Sequence, residues 1–405
     1  MAKDPHAHYL YKTYSMISKL FKATSVLAIA LAFHACQDSE PVVAIDSQVD
    51  IVFGGKIDLE NLANYEGQAK PAYILQDNTN INPITNEGAT LGRVLFYDVN
   101  LSVDNTISCA HCHKQEFAFG DTALASGGVN GFTGRHSMRL INSRFSLEQR
   151  FFWDERAVNL EAQSTQPIQD HKEMGFSGKN GDPSLQDLIT KLEGIGYYKE
   201  LFTFVYGDPD ITEERIQKAL AQFVRSIQSF DSKYDAGRAA APNNVAPFPN
   251  FTPQENQGKQ LFSAPPVFDP NGVRTGGGLG CQGCHRAPEF DIDPGSRNNG
   301  VVGTIGSANQ DLNVTRSPSL RDFLRTDGTL VTAAMHDGSL KTINDVVEHY
   351  NNIVDNPNLD PRLRPAGHPQ KLQLTTIEKD ALVAFLKTLS GSAVYTDSRW
   401  SDPFN

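Results

Sequence analysis

Apolar residues recur at helical spacing in two widely separated stretches of the chain. Ile216, Leu220, Phe223 and Ile227 follow Thr212 in this way, and Ile377, Leu382, Phe385 and Leu389 do so near the other end. Such spacing gathers side chains on one face of a helix, so both stretches read as amphipathic helices packed on a core. Thr375 with Glu378 is a capping-box signal, as is Thr252 with Glu255, where Pro253 takes the first helical position. The chain also repeats itself loosely: Leu91-Gly92-Arg93-Val94-Leu95-Phe96 and Gly258-Lys259-Gln260-Leu261-Phe262 each stand ahead of a cysteine pair. Two helical modules of one kind account for this pattern.

Between them, residues 238–249 have no periodicity and contain three prolines, Pro242, Pro247 and Pro249, which marks a linker with a boundary near residue 245. Gly and Pro are abundant and alternating β-branched runs are scarce, so helices joined by long loops are expected. Loops of that kind suit a domain whose core is a flat cofactor.

Length supports two domains, since 405 residues exceed one ordinary core. With 39% hydrophobic and 20% charged residues the composition is that of a globular protein, and a formal net charge of −11 offers no basic stripe for nucleic acid. The N-terminus reads as an export signal over residues 1–36. Lys19 and Lys22 precede an apolar run from Ala23 to Ala35, too short to remain as a membrane span, and the run ends at Cys36. Leu31-Ala32-Phe33-His34-Ala35-Cys36 is similar to a loose lipoprotein signal, although Phe33 and His34 depart from its small residues. Lipidation of Cys36, plain cleavage and an unprocessed tail all stay open, and Met16 is an alternative start. Removing residues 1–35 takes away Lys3, Lys12, Lys19, Lys22 and Asp4, a net +3, and leaves an acidic exported chain at −14.

The other four cysteines form two C-x-x-C pairs, Cys109/Cys112 and Cys281/Cys284, each followed at once by a histidine, His113 or His285. Thiols at that spacing can both form thioethers with the vinyl groups of one porphyrin, and the adjacent imidazole then becomes the proximal iron ligand. A zinc ribbon or a redox dithiol also uses such pairs, but neither explains a histidine at the same offset twice. Two covalent haem c groups are therefore expected. A sixth strong ligand would make an electron carrier, whereas an open position would make a site for oxygen chemistry.

From about Leu91 to Leu389 the chain resembles the bacterial dihaem cytochrome c peroxidase family, including MauG-type enzymes that mature a protein-derived quinone. The resemblance rests on Leu91 to Asp98, the two haem motifs, Phe152-Trp153-Asp154-Glu155-Arg156-Ala157, Pro167 to Gly175, Ser317-Pro318-Ser319-Leu320-Arg321 and Met335-His336-Asp337-Gly338. It implies a mainly α fold of two cytochrome c-like haem domains in tandem with long irregular loops, over 50–240 and 250–400. The N-terminal haem would be peroxidatic and the C-terminal one would relay electrons to it, reducing hydrogen peroxide to water. A small c-type cytochrome or cupredoxin would be the donor, in the periplasm, and a homodimer is expected.

The resemblance also implies roles for single residues. Glu173 would be the distal acid-base group, since peroxide cleavage needs a proton taken from one oxygen and returned to the other. An isolated glutamate would read as a solvated surface carboxylate. Gln163 and Pro167 match further residues of that pocket, and Trp153 matches the tryptophan between the haems, where the alternative is core packing. Many family members carry a displaceable histidine in the loop after the first haem motif. Here Ser126-Gly127-Gly128-Val129-Asn130-Gly131 has none, and His136 is the next, so an open five-coordinate iron is expected, as in MauG. On the C-terminal haem, Tyr350 aligns where the peroxidases supply a methionine; Met335 is the competing ligand, and packing is the third reading of Tyr350. A calcium ion held by backbone carbonyls of Arg316 and Pro318 is also implied, with His136 standing where the family often has Asn.

Overall fold

The computed structural model describes residues 47–404. The export-signal reading of residues 1–36, Cys36 included, lies outside them. Among the described residues the chain is rich in helix: α1 (Gln48–Phe53), α2 (Asn86–Tyr97), α3 (Cys109–Cys112), α4 (Leu160–Ser164), α5 (Leu185–Glu193), α6 (Gly196–Tyr206), α7 (Glu213–Ser226), α8 (Lys233–Ala240), α9 (Pro253–Ser263), α10 (Ile343–Asn351) and α11 (Thr376–Lys387). Strand among the described residues is confined to three short antiparallel ladders, Gly127–Gly128 with Gly131–Phe132, Pro266–Phe268 with Arg274–Gly277, and His285–Arg286 with Asp291–Ile292. No described helix is long and apolar enough to cross a membrane.

The expected amphipathic helices are α7 and α11, each started by the threonine read as its cap: Thr212 accepts from Arg215 N and Thr375 from Glu378 N. Two helix crossings organise the core, α2 on α7 and α9 on α11. Each depends on a glycine. A Cβ on Gly92 would lie 2.0 Å from Ala219 O and 2.8 Å from Phe223 Cβ, and one on Gly258 would lie 1.9 Å from Ala381 O and 2.8 Å from Phe385 Cβ. The same device thus recurs: Gly on the first helix lets its backbone touch an Ala on the last, and a Phe one turn further on packs beside it. Leu91, Val94, Leu95 and Phe96 bury against Ile216, Leu220 and Phe223 in one hydrophobic cluster; Phe262, Leu382, Phe385 and Leu386 bury in a second.

Ile377 departs from the expected apolar face, being 68% exposed. It sits at the start of α11, a turn ahead of the crossing at Ala381, where α9 no longer covers it. The linker also differs at its start, because α8 continues through Ala240 before the irregular stretch. That stretch is held down: Lys259 Nζ donates to the carbonyls of Asn244 and Ala246 at 2.7 and 2.9 Å, and Phe248 is buried. The C-terminal tail returns to the first cluster, with Trp400 fully buried, Tyr97 Oη donating to Trp400 O and Arg93 Nε to Ser401 O. Between the clusters Arg321 and Asp235 form a buried double-pronged ion pair, both contacts 2.9 Å.

Candidate active site

The first cysteine motif lies just downstream of α2. Cys109, Cys112 and His113 line a cavity of about 380 Å³, together with Gln163, Pro167 and Glu173. His113 Nδ1 is 3.0 Å from Phe119 O, a carbonyl that can only accept, so Nδ1 carries the proton and Nε2 is the lone-pair nitrogen. That bond fixes the ring and strengthens it as a metal ligand. Ala118 and Phe119 both take left-handed φ values, 54° and 58°, to turn the carbonyl back to the imidazole. Burial pushes Cys109 up to about 12 and Cys112 to about 11, and pulls His113 below its usual value. Burial thus favours the uncharged forms of both thiols and of the imidazole.

Cys281, Cys284 and His285 line a second cavity, of about 710 Å³. Burial pulls His285 down to about 4, and its Nδ1 has no hydrogen-bond partner. The two histidines are thus unequal, since only His113 is made more basic by a carbonyl. Both competing distal residues, Met335 and Tyr350, line this cavity. Asn299 joins them: its Nδ2 donates to Met335 Sδ and to Tyr350 Oη, each at 3.2 Å. Its Oδ1 accepts from Val301 N, which fixes the amide. Paired thiols beside a neutral imidazole on the wall of an apolar cavity fit a covalently held tetrapyrrole in both places. The sequence reading passed over Asn299, because Asn298-Asn299-Gly300 looks like a turn and no motif marks it.

Glu173 follows the Pro167 segment and is half-buried. Burial, helped by the negative Asp170, pushes its carboxyl up to about 7, with Arg156 opposing. The loop that lacks a histidine is clamped to this segment: Val129 N donates to Glu173 O at 3.0 Å and Asn130 N to Lys172 O at 3.2 Å. Gly128 permits the approach, for a Cβ there would lie 2.2 Å from Lys172 O. Gln163 comes from α4, on the same cavity.

Trp153 is buried and borders both cavities. Its Nε1 donates to His136 O at 2.7 Å, its carbonyl accepts from Thr315 N and Arg316 N, and its ring meets that of His336 edge-on at 6.1 Å. Arg316 and Pro318 border both cavities too. The Arg316 guanidinium donates to Glu148 O and Ser146 Oγ at 2.7 and 2.9 Å, and His136 turns its Nδ1 to Ala123 O at 2.9 Å. Calcium takes oxygen ligands, and the oxygens read for it are the backbone carbonyls of Arg316 and Pro318; the His136 side chain brings a nitrogen where an oxygen would be wanted. Among the described residues no group of three or more His, Cys, Asp or Glu could hold a metal ion.

Residues 86–241 match the di-haem cytochrome c peroxidase family. The chain is 30% identical over 327 residues to methylamine utilization protein MauG of Methylophilus methylotrophus, covering 77% of this chain and 85% of that one. It is 28% identical over 324 residues to cytochrome c551 peroxidase of Nitrosomonas europaea, covering 77% and 82%. Among solved structures, a MauG-like protein associated with microbial copper homeostasis superposes with a TM-score of 0.62 at 28% identity, covering 84% of this chain and 99% of the other.

Proposed function

Because the chain belongs to the di-haem cytochrome c peroxidase family, which includes MauG, we propose that it reduces hydrogen peroxide to water at the cavity holding His113 and Glu173. Its chemical class is a peroxidase-type oxidoreductase with two haem c groups. When bound, these supply the iron and the electrons for reduction of the peroxide bond. Cys109 and Cys112 would hold one of them with His113 as ligand, and Cys281 and Cys284 the other with His285. The polypeptide contributes the proton chemistry. Glu173 takes a proton from one peroxide oxygen and delivers it to the departing one, so that with two electrons and two protons overall the products are two waters. Its carboxyl suits both halves of that task, because a group titrating near 7 is neither a reluctant acceptor nor a reluctant donor at neutral pH. Gln163 and Pro167 bound the space in which peroxide would be oriented. Trp153, common to both cavity walls, carries electrons between them.

The observation that carries this reading is a half-buried carboxyl with a raised pKa on the same cavity as a cysteine-paired, carbonyl-bonded histidine. Glu173→Ala should abolish turnover of peroxide while leaving the spectra of both haems intact. Undiminished peroxide consumption by that variant would overturn the assignment.

A MauG-like oxidase, drawing its electrons from a residue on another protein or a small organic substrate, is the second reading. It is favoured by Tyr350 beside Asn299 on the second cavity and by the absence of a histidine from the Ser126–Gly131 loop, which together support an open first iron and a phenol-oxygen ligand on the second. Steady oxidation of reduced cytochrome c or cupredoxin supports the first reading; its failure, alongside peroxide consumption with an organic reductant, supports the second. A non-catalytic carrier would show only low-spin ferric iron that peroxide leaves unchanged. The proposal extends to two cytochrome c-like domains over 50–240 and 250–400, supported by the two larger hydrophobic clusters, with Val331, Val394 and Trp400 of the second stretch packing in the first cluster. Periplasmic location, a lipid anchor at Cys36 and a homodimer belong to it as well, the first two resting on the leader sequence alone. No step passes through calcium at Arg316 and Pro318.

A further inference from the structure

Arg139 stands on the wall common to the two cavities. It is only 6% exposed, and its hydrogen bonds are all to neutral groups: Nη2 donates to Ser319 O at 2.8 Å and Nη1 to Thr332 Oγ1 at 3.3 Å. Its Nε is buried without a partner. Phe323 packs against the guanidinium, 5.2 Å from ring centroid to Cζ.

Of the other guanidiniums around these cavities, some are neutralised by carboxylates, while Arg316, which borders both, spends its donors on Glu148 O, Arg150 O and Ser146 Oγ. Arg135 pairs with Asp154 and Asp311, and Arg362 with Asp360 and Asp293. Arg321, as deeply buried as Arg139, has Asp235 and Glu289. Around Arg139, by contrast, no carboxylate oxygen of the described residues comes within ion-pair distance. Asp322, which acts on it electrostatically, is buried; its Oδ1 accepts from Gly391 N at 2.9 Å and Tyr395 Oη at 3.1 Å, and neither of its oxygens pairs with the guanidinium. Burial pulls Arg139 down to about 10, which still leaves it a cation at neutral pH. A cation taken out of water without a counter-charge is strongly unfavourable, so a buried one with a donor to spare, between two cavities, calls for an anion from those cavities.

We propose that Arg139 is a positioning residue for both haems, its guanidinium pairing with a propionate carboxylate from each cavity and thereby setting the reduction potential of both irons. This rests on the two-haem reading. The pairing suits arginine, whose planar fork can meet carboxylates on two edges at once. In a low-dielectric interior a fixed positive charge favours the electron-rich state of a nearby redox centre. One side chain would therefore tune donor and acceptor together, leaving the gap between them nearly constant while moving both.

The test is a spectroelectrochemical titration of the holoprotein, comparing wild type with Arg139→Gln and Arg139→Lys. With Arg139→Gln both midpoints should fall, each corresponding to about a tenfold smaller equilibrium constant for reduction, 59 mV for one electron. Arg139→Lys, which keeps the charge, should recover most of both shifts. An unmoved midpoint at either haem, or a lysine variant that falls as far as the glutamine one, overturns the proposal. Should the glutamine variant not fold, the propionate bending modes in resonance Raman spectra of Arg139→Lys decide: they should move at both haems, and modes like those of wild type overturn it. Haem stoichiometry of the wild type, measured separately by pyridine haemochrome, distinguishes failure of this proposal from failure of the two-haem reading.

Discussion

Trp153 donates its indole N–H to the carbonyl oxygen of His136 at 2.7 Å, and the residues around that bond line both cavities. The bond sets the orientation of the only described tryptophan between the cysteine motifs. Phe152 and Glu155 hold left-handed φ values of 70° and 56° on either side, so the backbone is bent to present the ring. Trp153→Phe keeps an aromatic ring and removes the anchor, leaving His136 O unpaired. Reduction of peroxide with electrons entering at the C-terminal haem should slow by at least about tenfold, equivalent to about 1.4 kcal/mol, with both haem spectra unchanged. Stopped-flow kinetics showing wild-type rates would reduce Trp153 to a packing residue.

Glu173 makes a prediction in pH. Because burial holds its carboxyl near 7, the basic form that first accepts the peroxide proton grows as pH rises through 7, and the rate of peroxide cleavage should rise with it and then level. Glu173→Gln should be lower by about 10² to 10⁴ and lose that limb. Stability moves the other way. A carboxyl whose folded-state pKa is raised contributes stability that is present below its unfolded value and is lost as pH climbs through the folded one. Wild type should therefore lose thermal stability relative to Glu173→Gln between about pH 5 and 8, a difference read from paired melting curves. A rate flat across pH 7 removes Glu173 as the base.

The haem motifs, the Glu173 segment and the capped helices α7 and α11 were legible in sequence, because each is local: a ligand spacing, a cap, a period of 3.6. Pairs of facing residues were not. Arg139 lies in Met138-Arg139-Leu140-Ile141, where an arginine beside apolar residues looks like one outward position of a half-buried segment. Its burial is decided by Phe323 and Thr332, nearly two hundred residues away. Ile377 shows the converse limit, since its periodicity was right for a helix but the partner helix does not reach it. No motif or periodicity marks Trp400, and only the fold brings it into the first cluster with residues of α2 and α7.

The repeated glycine at the two helix crossings was visible as a motif, but its reason is steric. Gly92→Ala would drive a methyl to 2.0 Å from Ala219 O, and Gly258→Ala to 1.9 Å from Ala381 O. Backbone cannot yield as a flexible side chain does, so each substitution should cost about 1–3 kcal/mol or more, against any gain in helix propensity. Chemical denaturation of the two holoprotein variants should show comparable losses. A neutral effect at either site would mean that the helices can separate without consequence.

The distal side of the C-terminal haem gives the last prediction. Asn299 holds Met335 Sδ and Tyr350 Oη at equal distance, so neither residue is excluded by position. The hydrogen bonds are not equivalent, however. A phenol oxygen has a further lone pair for a metal while accepting from an amide; burial pushes the Tyr350 phenol well above its usual value, and the Asn299 donor opposes that by favouring the negatively charged oxygen. A thioether is a weak acceptor whose hold by Asn299 is easily broken, but Met335 also sits at a φ of 68°, a backbone constraint on how far its side chain can travel. With Tyr350 as ligand, Tyr350→Phe should change the ferric EPR spectrum of this haem and raise its potential, because the anionic oxygen that favours the ferric state is gone. Met335→Leu should leave both measurements in place. The reverse pattern, with Met335→Leu altering the spectrum and lowering the potential while Tyr350→Phe does nothing, would transfer the assignment to Met335.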